Sequence, residues 1–194
     1  PGSGLSPFAQ SLHARWQTGA DAAQLRRAED LAAAAELGAQ AVHWDFLDGI
    51  YRADEAGTPL YAAEAAIFGP LLAADEGQIA ALAERLRRFL PARARVYAPL
   101  GVGNHVDHQL TRRAAERLGV PLIYYEDYPY AGRAGANPAA LAGPEQQAVL
   151  TTISEAALAG KTRAVACYRS QISSFWPDEA AMSADIPVTY VPAR

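Results

Sequence analysis

The sequence predicts an α/β protein with a Rossmann-like, mostly parallel sheet covered by helices on both faces. Short apolar runs with strand character, such as residues 95–100 and 120–125, alternate along the chain with amphipathic helical segments. Both of these runs lead directly into a turn rich in glycine or in acidic residues. Alternation of this kind is typical of parallel sheets, in which each strand is followed by a covering helix.

The composition predicts one globular domain. The chain has 194 residues, of which 51% are hydrophobic and 20% charged, which suffices for one sizeable core. A net charge of −4 gives no reason to expect nucleic acid as a partner. The single cysteine, Cys167, excludes an intrachain disulfide and a cysteine-rich zinc site. We expect no membrane span and a cytoplasmic location, because no long uncharged apolar run and no signal-peptide pattern is present.

The first elements are predicted to be helices. Ser6 and Pro7 are typical of a helix start, and apolar residues then recur at helical spacing. A second helix is predicted to begin at Asp21 and to stop at Gly38, with an alanine-rich face suited to close packing.

A strand is predicted over residues 40–47, because apolar and polar residues alternate there. It ends in the sharp turn Asp48-Gly49, which places Asp48 at the carboxyl end of a strand. After an irregular excursion, residues 78–90 have the spacing of an amphipathic helix that Pro91 stops.

The later part of the chain contains further predicted elements. Residues 120–125 indicate a buried strand, which is followed by an acidic loop containing Asp127 that is suited to face a substrate or to pack. Two helices are predicted at about residues 144–158 and 161–175, and a terminal strand at 188–191.

Two histidines and an aspartate are concentrated after the strand predicted at residues 95–100. A Gly-x-Gly turn follows this strand, and His105, Asp107 and His108 then open a helix. Ligands bind at such junctions in open α/β sheets. Imidazole and carboxylate groups are ligands that zinc takes, and His105 and His108 lie near one helix face. The alternative is a polar helix start, with an aspartate cap and histidines in solvent.

With these residues in view, the chain resembles the PIG-L/LmbE-like family of zinc-dependent N-acetylglucosaminyl deacetylases over nearly its whole length. Three blocks in the right order carry the resemblance: Arg26-Arg-Ala-Glu29 followed by Leu37-Gly38, the strand that ends in Asp48, and His105-Val-Asp-His108. The segments 124–130 and 161–171 resemble a bacterial branch of the family.

The resemblance implies a role for five residues. It assigns His108 as a zinc ligand and His105 as the group that stabilises the oxyanion intermediate, with Asp107 orienting and polarising His105. Arg26 corresponds to an arginine that contacts the sugar, and Asp48 to an acid on the substrate side. The implied cofactor is therefore Zn²⁺, and the implied partner is a small N-acyl amino sugar or its conjugate.

The chain also departs from the family pattern. The His-Pro-Asp-Asp block that supplies two zinc ligands and the general base is absent. We therefore expect residues 1–194 to form a single LmbE-like domain without its first βα unit, with the remaining zinc ligands upstream of Pro1. Val106 replaces a usual proline, and Gly103 replaces a tyrosine found in some members.

These residues lead to a hydrolase hypothesis and to alternatives. The first hypothesis is a zinc-dependent amide hydrolase that removes an acyl group, such as acetyl, from an N-acyl amino sugar. Under this hypothesis we expect the 194 residues alone to be inactive. The second hypothesis is a non-catalytic α/β module that binds a sugar or nucleotide. A nucleotide-dependent transferase is weaker, because the lone Gly-x-Gly lacks the third glycine and the ribose-binding acid of a dinucleotide site.

Overall fold

The computed structural model describes residues 4–19 and 21–190, with side chains described as far as residue 186. The chain divides into two units. The first consists of residues 4–9 and 46–147, and the second of residues 10–19, 21–45 and 148–190. In both described ranges, no helix is long and apolar enough to cross a bilayer.

The first unit is built on a parallel pair of strands. Strand β1 (Val96–Pro99) pairs with β2 (Leu122–Tyr125), with Val96 opposite Leu122 and Pro99 opposite Tyr125. Helix α5 (Val106–Glu116) connects the two strands and packs on β1. This is a strand–helix–strand unit, so the predicted fold class is confirmed.

Helices cover this pair and supply the core of the first unit. They are α3 (Glu64–Ile67), α4 (Glu76–Phe89) and α5, and α4 packs against α5. Ile79 and Ala83 of α4 meet Leu110 and Ala114 of α5, and all four are at most 4% exposed. The predicted periodicity of α4 is thus correct, although the helix starts two residues before residue 78.

The second unit is helical. Its helices are α2 (Ala22–Glu36), α6 (Glu155–Ala166), α7 (Arg169–Ile172) and α8 (Glu179–Tyr190), while α1 (Pro7–Arg15) runs from the first unit into the second. The helix α6 packs on α2 and α8. Buried Glu29 joins α2 to α7 by accepting hydrogen bonds from Ser170 N (2.8 Å) and Ser170 Oγ (2.7 Å). The predicted first two helices are confirmed.

Four predicted elements differ from the structure. The helix predicted over residues 161–175 is divided between the end of α6 and the short helix α7. Residues 40–47 form no strand, because no other segment of the described chain pairs with them, and Val42 and Leu47 are exposed. The helix predicted from residue 144 begins only at Glu155, where Ser154 caps it by accepting from Ala157 N. The predicted terminal strand is wrong for residues 188–190, which belong to α8, and residue 191 lies outside the described residues.

Candidate active site

The candidate site lies in the first unit, where the loops after β1 and β2 meet. The loop after β1 turns through Gly101 and Gly103, both with positive φ. Asp127, in the loop after β2, is almost fully buried. Its Oδ2 accepts hydrogen bonds from Gly101 N at 2.7 Å and from Val102 N at 2.8 Å. This carboxylate therefore fixes the two loops to each other.

The same carboxylate faces His108, which lies in the first turn of α5. His108 Nδ1 is 2.5 Å from Asp127 Oδ1, although the two atoms are not aligned as a hydrogen bond. A carboxylate beside one ring nitrogen is the usual arrangement behind a metal-binding histidine, because it orients the ring and leaves the other nitrogen as the ligand. His108 therefore fits the role of one metal ligand. In the part of the chain that the structure describes, no group of three or more potential ligands is arranged to hold a metal ion.

His105 stands immediately before α5 and caps it. Its Nδ1 accepts a hydrogen bond from Asp107 N at 3.2 Å. A ring nitrogen that accepts carries no proton, so the neutral ring has its proton on Nε2. The ring lies edge-on to Phe68, with centroids 5.4 Å apart, and 5.3 Å from the His108 ring. The helix cap is therefore a histidine, and not the aspartate that a simple polar helix start would use.

The Asp107 carboxylate is bound mainly by groups other than His105. Both of its oxygens accept from Gly49 N at 3.1 Å, and Arg52 Nη2 donates to Oδ1. Its Oδ2 lies 3.9 Å from His105 Nδ1, which is too long for a hydrogen bond. Burial, followed by the nearby charge of Asp48, raises the pKa of Asp107 to about 7, against the opposing effects of Arg52 and Gly49 N.

Asp48 joins this cluster from the turn where it was expected. Its Oδ1 accepts from Ile50 N at 3.3 Å and so caps the short turn Gly49–Tyr51. The negative charge of Asp48 is, after burial, the second cause of the raised pKa of Asp107.

Behind Asp107 lies a buried polar network. Arg52, which is 3% exposed, donates from Nη1 to Asp75 Oδ1 at 2.6 Å. Asp75 also accepts from the hydroxyl of Tyr61, which itself accepts from Leu72 N. Burial, assisted by the bond to Asp75, raises the pKa of Tyr61 to about 12. Sequence reasoning missed these residues.

Tyr130 forms one wall of the site. Its ring packs edge-on against His108 and Phe68, with centroids 5.7 Å and 5.9 Å apart, and burial raises the pKa of its hydroxyl to about 12. A Cβ at Gly103 would lie only 2.5 Å from Tyr130 Cγ, so the glycine is required for this approach. An adjoining cavity of about 400 Å³ is lined by Tyr130, by residues 101–104, and by residues 133–137, 140 and 141.

The structure thus brings together Asp48, His105, Asp107 and His108 in the first unit. Arg26 lies on α2 of the second unit, where its guanidinium stands 5.5 Å from the centre of the Trp16 ring. Of the two alternatives for the acidic loop, facing a substrate or packing, Asp127 takes the second, because it is buried and lies against His108. Asp127 follows a predicted strand, as the histidine block does, and the carboxyl ends of parallel strands meet at one sheet edge. This placement was the sequence signal that could have identified Asp127 as a neighbour of His108.

Fold and site together define an α/β protein with histidines and carboxylates at the carboxyl ends of parallel strands. The resemblance to the PIG-L/LmbE-like deacetylases is confirmed by solved structures of that type. The zinc-inhibited form of teicoplanin deacetylase Orf2 is 27% identical with a TM-score of 0.76, and the match covers 95% of this chain and 74% of that one.

Two further solved structures of deacetylases are similar to this chain. A deacetylase–bog complex from the biosynthesis pathway of teicoplanin is 28% identical, with a TM-score of 0.74, and the match covers 88% of this chain and 69% of that one. A deacetylase triple mutant, Orf2*T, is 26% identical, with a TM-score of 0.70 and coverage of 93% and 70%. No protein-family model and no curated protein matches the chain.

Proposed function

We propose that the chain carries the histidine half of the active site of a metal-dependent hydrolase that removes an acyl group, such as acetyl, from an N-acyl amino sugar or its conjugate. The observation that carries the proposal is the His108 imidazole held against the buried Asp127 carboxylate, beside His105 and Asp107. The similarity to deacetylases of teicoplanin biosynthesis supports the reaction class and a sugar conjugate as substrate.

The residues of this chain have distinct proposed roles. His108 would hold the metal through Nε2, since Nδ1 faces Asp127. When bound, zinc supplies a Lewis acid for the amide carbonyl and lowers the pKa of its water to roughly 7. His105 donates its Nε2–H to the oxygen on which negative charge develops, and Asp107 holds the cap that fixes this ring. By the resemblance, Arg26 contacts the sugar and Asp48 is an acid on the substrate side.

One histidine cannot hold zinc by itself, because catalytic zinc sites typically have three protein ligands. The resemblance assigns the other ligands to a His-Pro-Asp-Asp segment upstream of Pro1. We therefore expect the 194 residues alone to bind zinc weakly and to turn over no substrate. A polypeptide that also contains such a segment should bind zinc tightly and release acetate from N-acetylglucosaminides.

The test is the matched pair His108→Gln and His43→Gln in that longer polypeptide. His43 is a suitable control because it pairs with Asp30 in the second unit. His108→Gln should lower both zinc affinity and deacetylation by at least ~100-fold, since even the outer partners of a metal ligand contribute 10- to 100-fold. His43→Gln should change neither. A metal-loaded protein that is inert toward every N-acyl sugar would contradict the proposal.

The same experiment tests the alternative, a non-catalytic α/β module that binds a sugar or nucleotide. The lack of a complete ligand group among the described residues is the observation that favours it. It predicts that no metal copurifies with the protein and that His108→Gln leaves the affinity for the sugar unchanged.

A further inference from the structure

Positive charge is concentrated in one stretch of the chain, although the protein as a whole is acidic. Residues 85–117 contain eight arginines and only two acidic residues, Asp107 and Glu116. Of the 17 basic and 21 acidic residues of the chain, all other parts together hold nine and nineteen. Charges more than about 10 Å apart are largely screened at ~0.1 M salt, so a basic surface can attract anions in spite of a net charge of −4.

Five of these arginines lie where strands β1 and β2 begin. They are Arg87 and Arg88 in the last turn of α4, Arg93 and Arg95 in the connection to β1, and Arg117 directly after α5. The two strands begin side by side, because Val96 is opposite Leu122. A hydrogen bond from Arg87 Nη2 to the backbone carbonyl of Arg117 joins the ends of α4 and α5. We call these five arginines the basic edge.

Three members of the basic edge have carboxylate partners. Arg87 and Arg88 share Glu84, at 3.4 and 2.9 Å, and Arg117 Nη2 lies 2.6 Å from Glu76. All of these side chains are at least 37% exposed, so the pairs contribute little to stability. Two carboxylates thus serve three guanidinium groups, which leaves positive charge in excess.

The other two members, Arg93 and Arg95, are exposed. Neither makes an ion pair within the part of the chain that the structure describes. A helix dipole attracts cations to the last turn of a helix, but these two arginines lie outside the helices, so the dipole does not account for them. Guanidinium groups bind phosphate oxygens through paired hydrogen bonds, which makes a phosphate-bearing partner suitable for this edge.

Exposed apolar side chains accompany the arginines. Phe89, the last residue of α4, is 53% exposed, and Val120, in the connection to β2, is 45% exposed. Arginines beside exposed apolar groups suit the surface of an anionic membrane, where phosphates lie above an apolar layer. A nucleic acid would also offer phosphates, but it has no apolar layer for Val120.

The basic edge and the candidate site lie at opposite ends of the same strands. The loops that contain His108 and Asp127 follow β1 and β2, whereas the basic edge precedes both strands. Each strand has four residues and so spans roughly 13 Å, at about 3.3 Å per residue. A partner bound at the basic edge therefore leaves the candidate site open.

We propose that the basic edge, together with Phe89 and Val120, is a docking surface for anionic phospholipid membranes. The arginines bind the lipid phosphates, and the two apolar side chains enter the boundary between headgroups and acyl chains. The proposal does not depend on the proposed function, because none of these residues belongs to the candidate site.

The test is co-sedimentation of the 194-residue protein with lipid vesicles. The protein should bind vesicles of phosphatidylcholine mixed with phosphatidylglycerol, but not vesicles of phosphatidylcholine alone. Binding should weaken steeply as salt rises from about 0.01 M to about 1 M, because the Debye length falls from ~30 Å to ~3 Å. A protein that does not bind the anionic vesicles even at the lowest salt would overturn the proposal.

The double variant Arg93→Gln with Arg95→Gln locates the surface. It should lower the partition coefficient by roughly 25-fold, since each arginine near an anionic surface contributes about fivefold. No ion pair is lost, so the fold should be kept. The matched control is Arg15→Gln with Arg169→Gln, which removes the same charge from exposed positions of the second unit. Binding by the control should stay within about twofold, because charges far from the membrane are screened.

Equal losses in the two double variants would indicate an effect of net charge alone and would overturn the proposal. The apolar part is tested by Phe89→Gln, which should lower the partition coefficient by roughly three- to tenfold. Its control is Leu31→Gln, because Leu31 is 54% exposed on a helix of the second unit, and this change should have no effect. The proposal also fails if Phe89→Gln binds vesicles as well as the unmodified protein does, or if short duplex DNA binds more tightly than the anionic vesicles at the same salt.

Discussion

Replacement of Asp127 tests the centre of the site most directly, because the two oxygens of its carboxylate make different contacts. One oxygen binds the backbone amides of Gly101 and Val102, and the other faces His108. Asp127→Ala removes both sets of contacts. Asp127→Asn keeps an acceptor oxygen for the two amides, but directs an NH₂ group toward His108 Nδ1.

The magnitudes follow from these contacts. Alanine leaves two amide donors without their charged acceptor, and a hydrogen bond to a charged group contributes about 1.5–3 kcal/mol. The free energy of unfolding should therefore fall by about 3–6 kcal/mol, a large share of the roughly 5–15 kcal/mol typical of a domain. Asparagine keeps both bonds in weaker, neutral form, so it should cost about 1–2 kcal/mol.

The two variants should also differ at His108. In Asp127→Asn the NH₂ group donates to Nδ1, which forces the imidazole proton onto Nε2 and blocks this nitrogen as a metal ligand. Zinc affinity of the longer polypeptide should therefore fall by roughly 10- to 100-fold, although most of the stability remains.

Urea denaturation followed by circular dichroism measures the stability, and amide hydrogen exchange at Gly101 and Val102 measures the local bonds. Exchange should accelerate strongly in Asp127→Ala and only slightly in Asp127→Asn. The reasoning is refuted if alanine costs less than about 1 kcal/mol, or if the two variants are equally unstable.

Two further predictions concern close packing. Gly103→Ala should destabilise the protein by about 3 kcal/mol, because its φ is +84° and the new Cβ would lie 2.5 Å from Tyr130 Cγ. Gly57→Ala, with the same φ but nothing within 4 Å, should cost only about 1–2 kcal/mol, and urea denaturation measures both. Glu29→Ala should cost about 2–4 kcal/mol in the same assay, since it leaves the amide and hydroxyl of Ser170 without their buried acceptor.

Each of these predictions has a control. The clash at Gly103 should largely disappear when Tyr130→Gly is added, because this change removes the ring and also the Tyr130 Cβ, which would lie 2.8 Å from the new atom. A cost that is unchanged in the double variant would rule out the Tyr130 side chain as its cause. For Glu29 the control is Glu36→Ala on the same helix, because Glu36 makes an exposed ion pair with Arg163. It should stay within about 0.5 kcal/mol of the unmodified protein, and a loss as large as that of Glu29→Ala would contradict the argument.

The sequence predicts which residues of the candidate site lie together where these residues are close in the chain. His105, Asp107 and His108 share one helix start, so residue types and spacing suffice to predict their proximity. Asp127 lies on another loop, which only the pairing of β2 with β1 brings to the histidines. Arg52 gave no signal, since it follows an irregular turn where the burial of a charged side chain cannot be read from hydrophobic periodicity.

The same distinction applies to the fold. Helix α4 was predictable, because its apolar residues lie on the face that it buries. The positions of strands β1 and β2 were predictable too, but β2 is not the buried strand that residues 120–125 indicate, since Ile123 and Tyr125 are exposed. Residues 40–47 have the alternation of a strand, yet alternation cannot supply the neighbour with which a strand must pair. A local sequence pattern therefore determines a helix more fully than a strand, because a strand also needs a partner elsewhere in the chain.

One carboxylate has a practical consequence for engineering. Gly101 and Asp127 are 26 positions apart, and their bond fastens the glycine turn to the acidic loop. Loop exchange between relatives, intended to alter which substrate is accepted, must therefore transplant these two segments as a pair. A graft of either segment alone would separate the Asp127 carboxylate from the amides that it binds. It would also remove the carboxylate that faces the His108 imidazole.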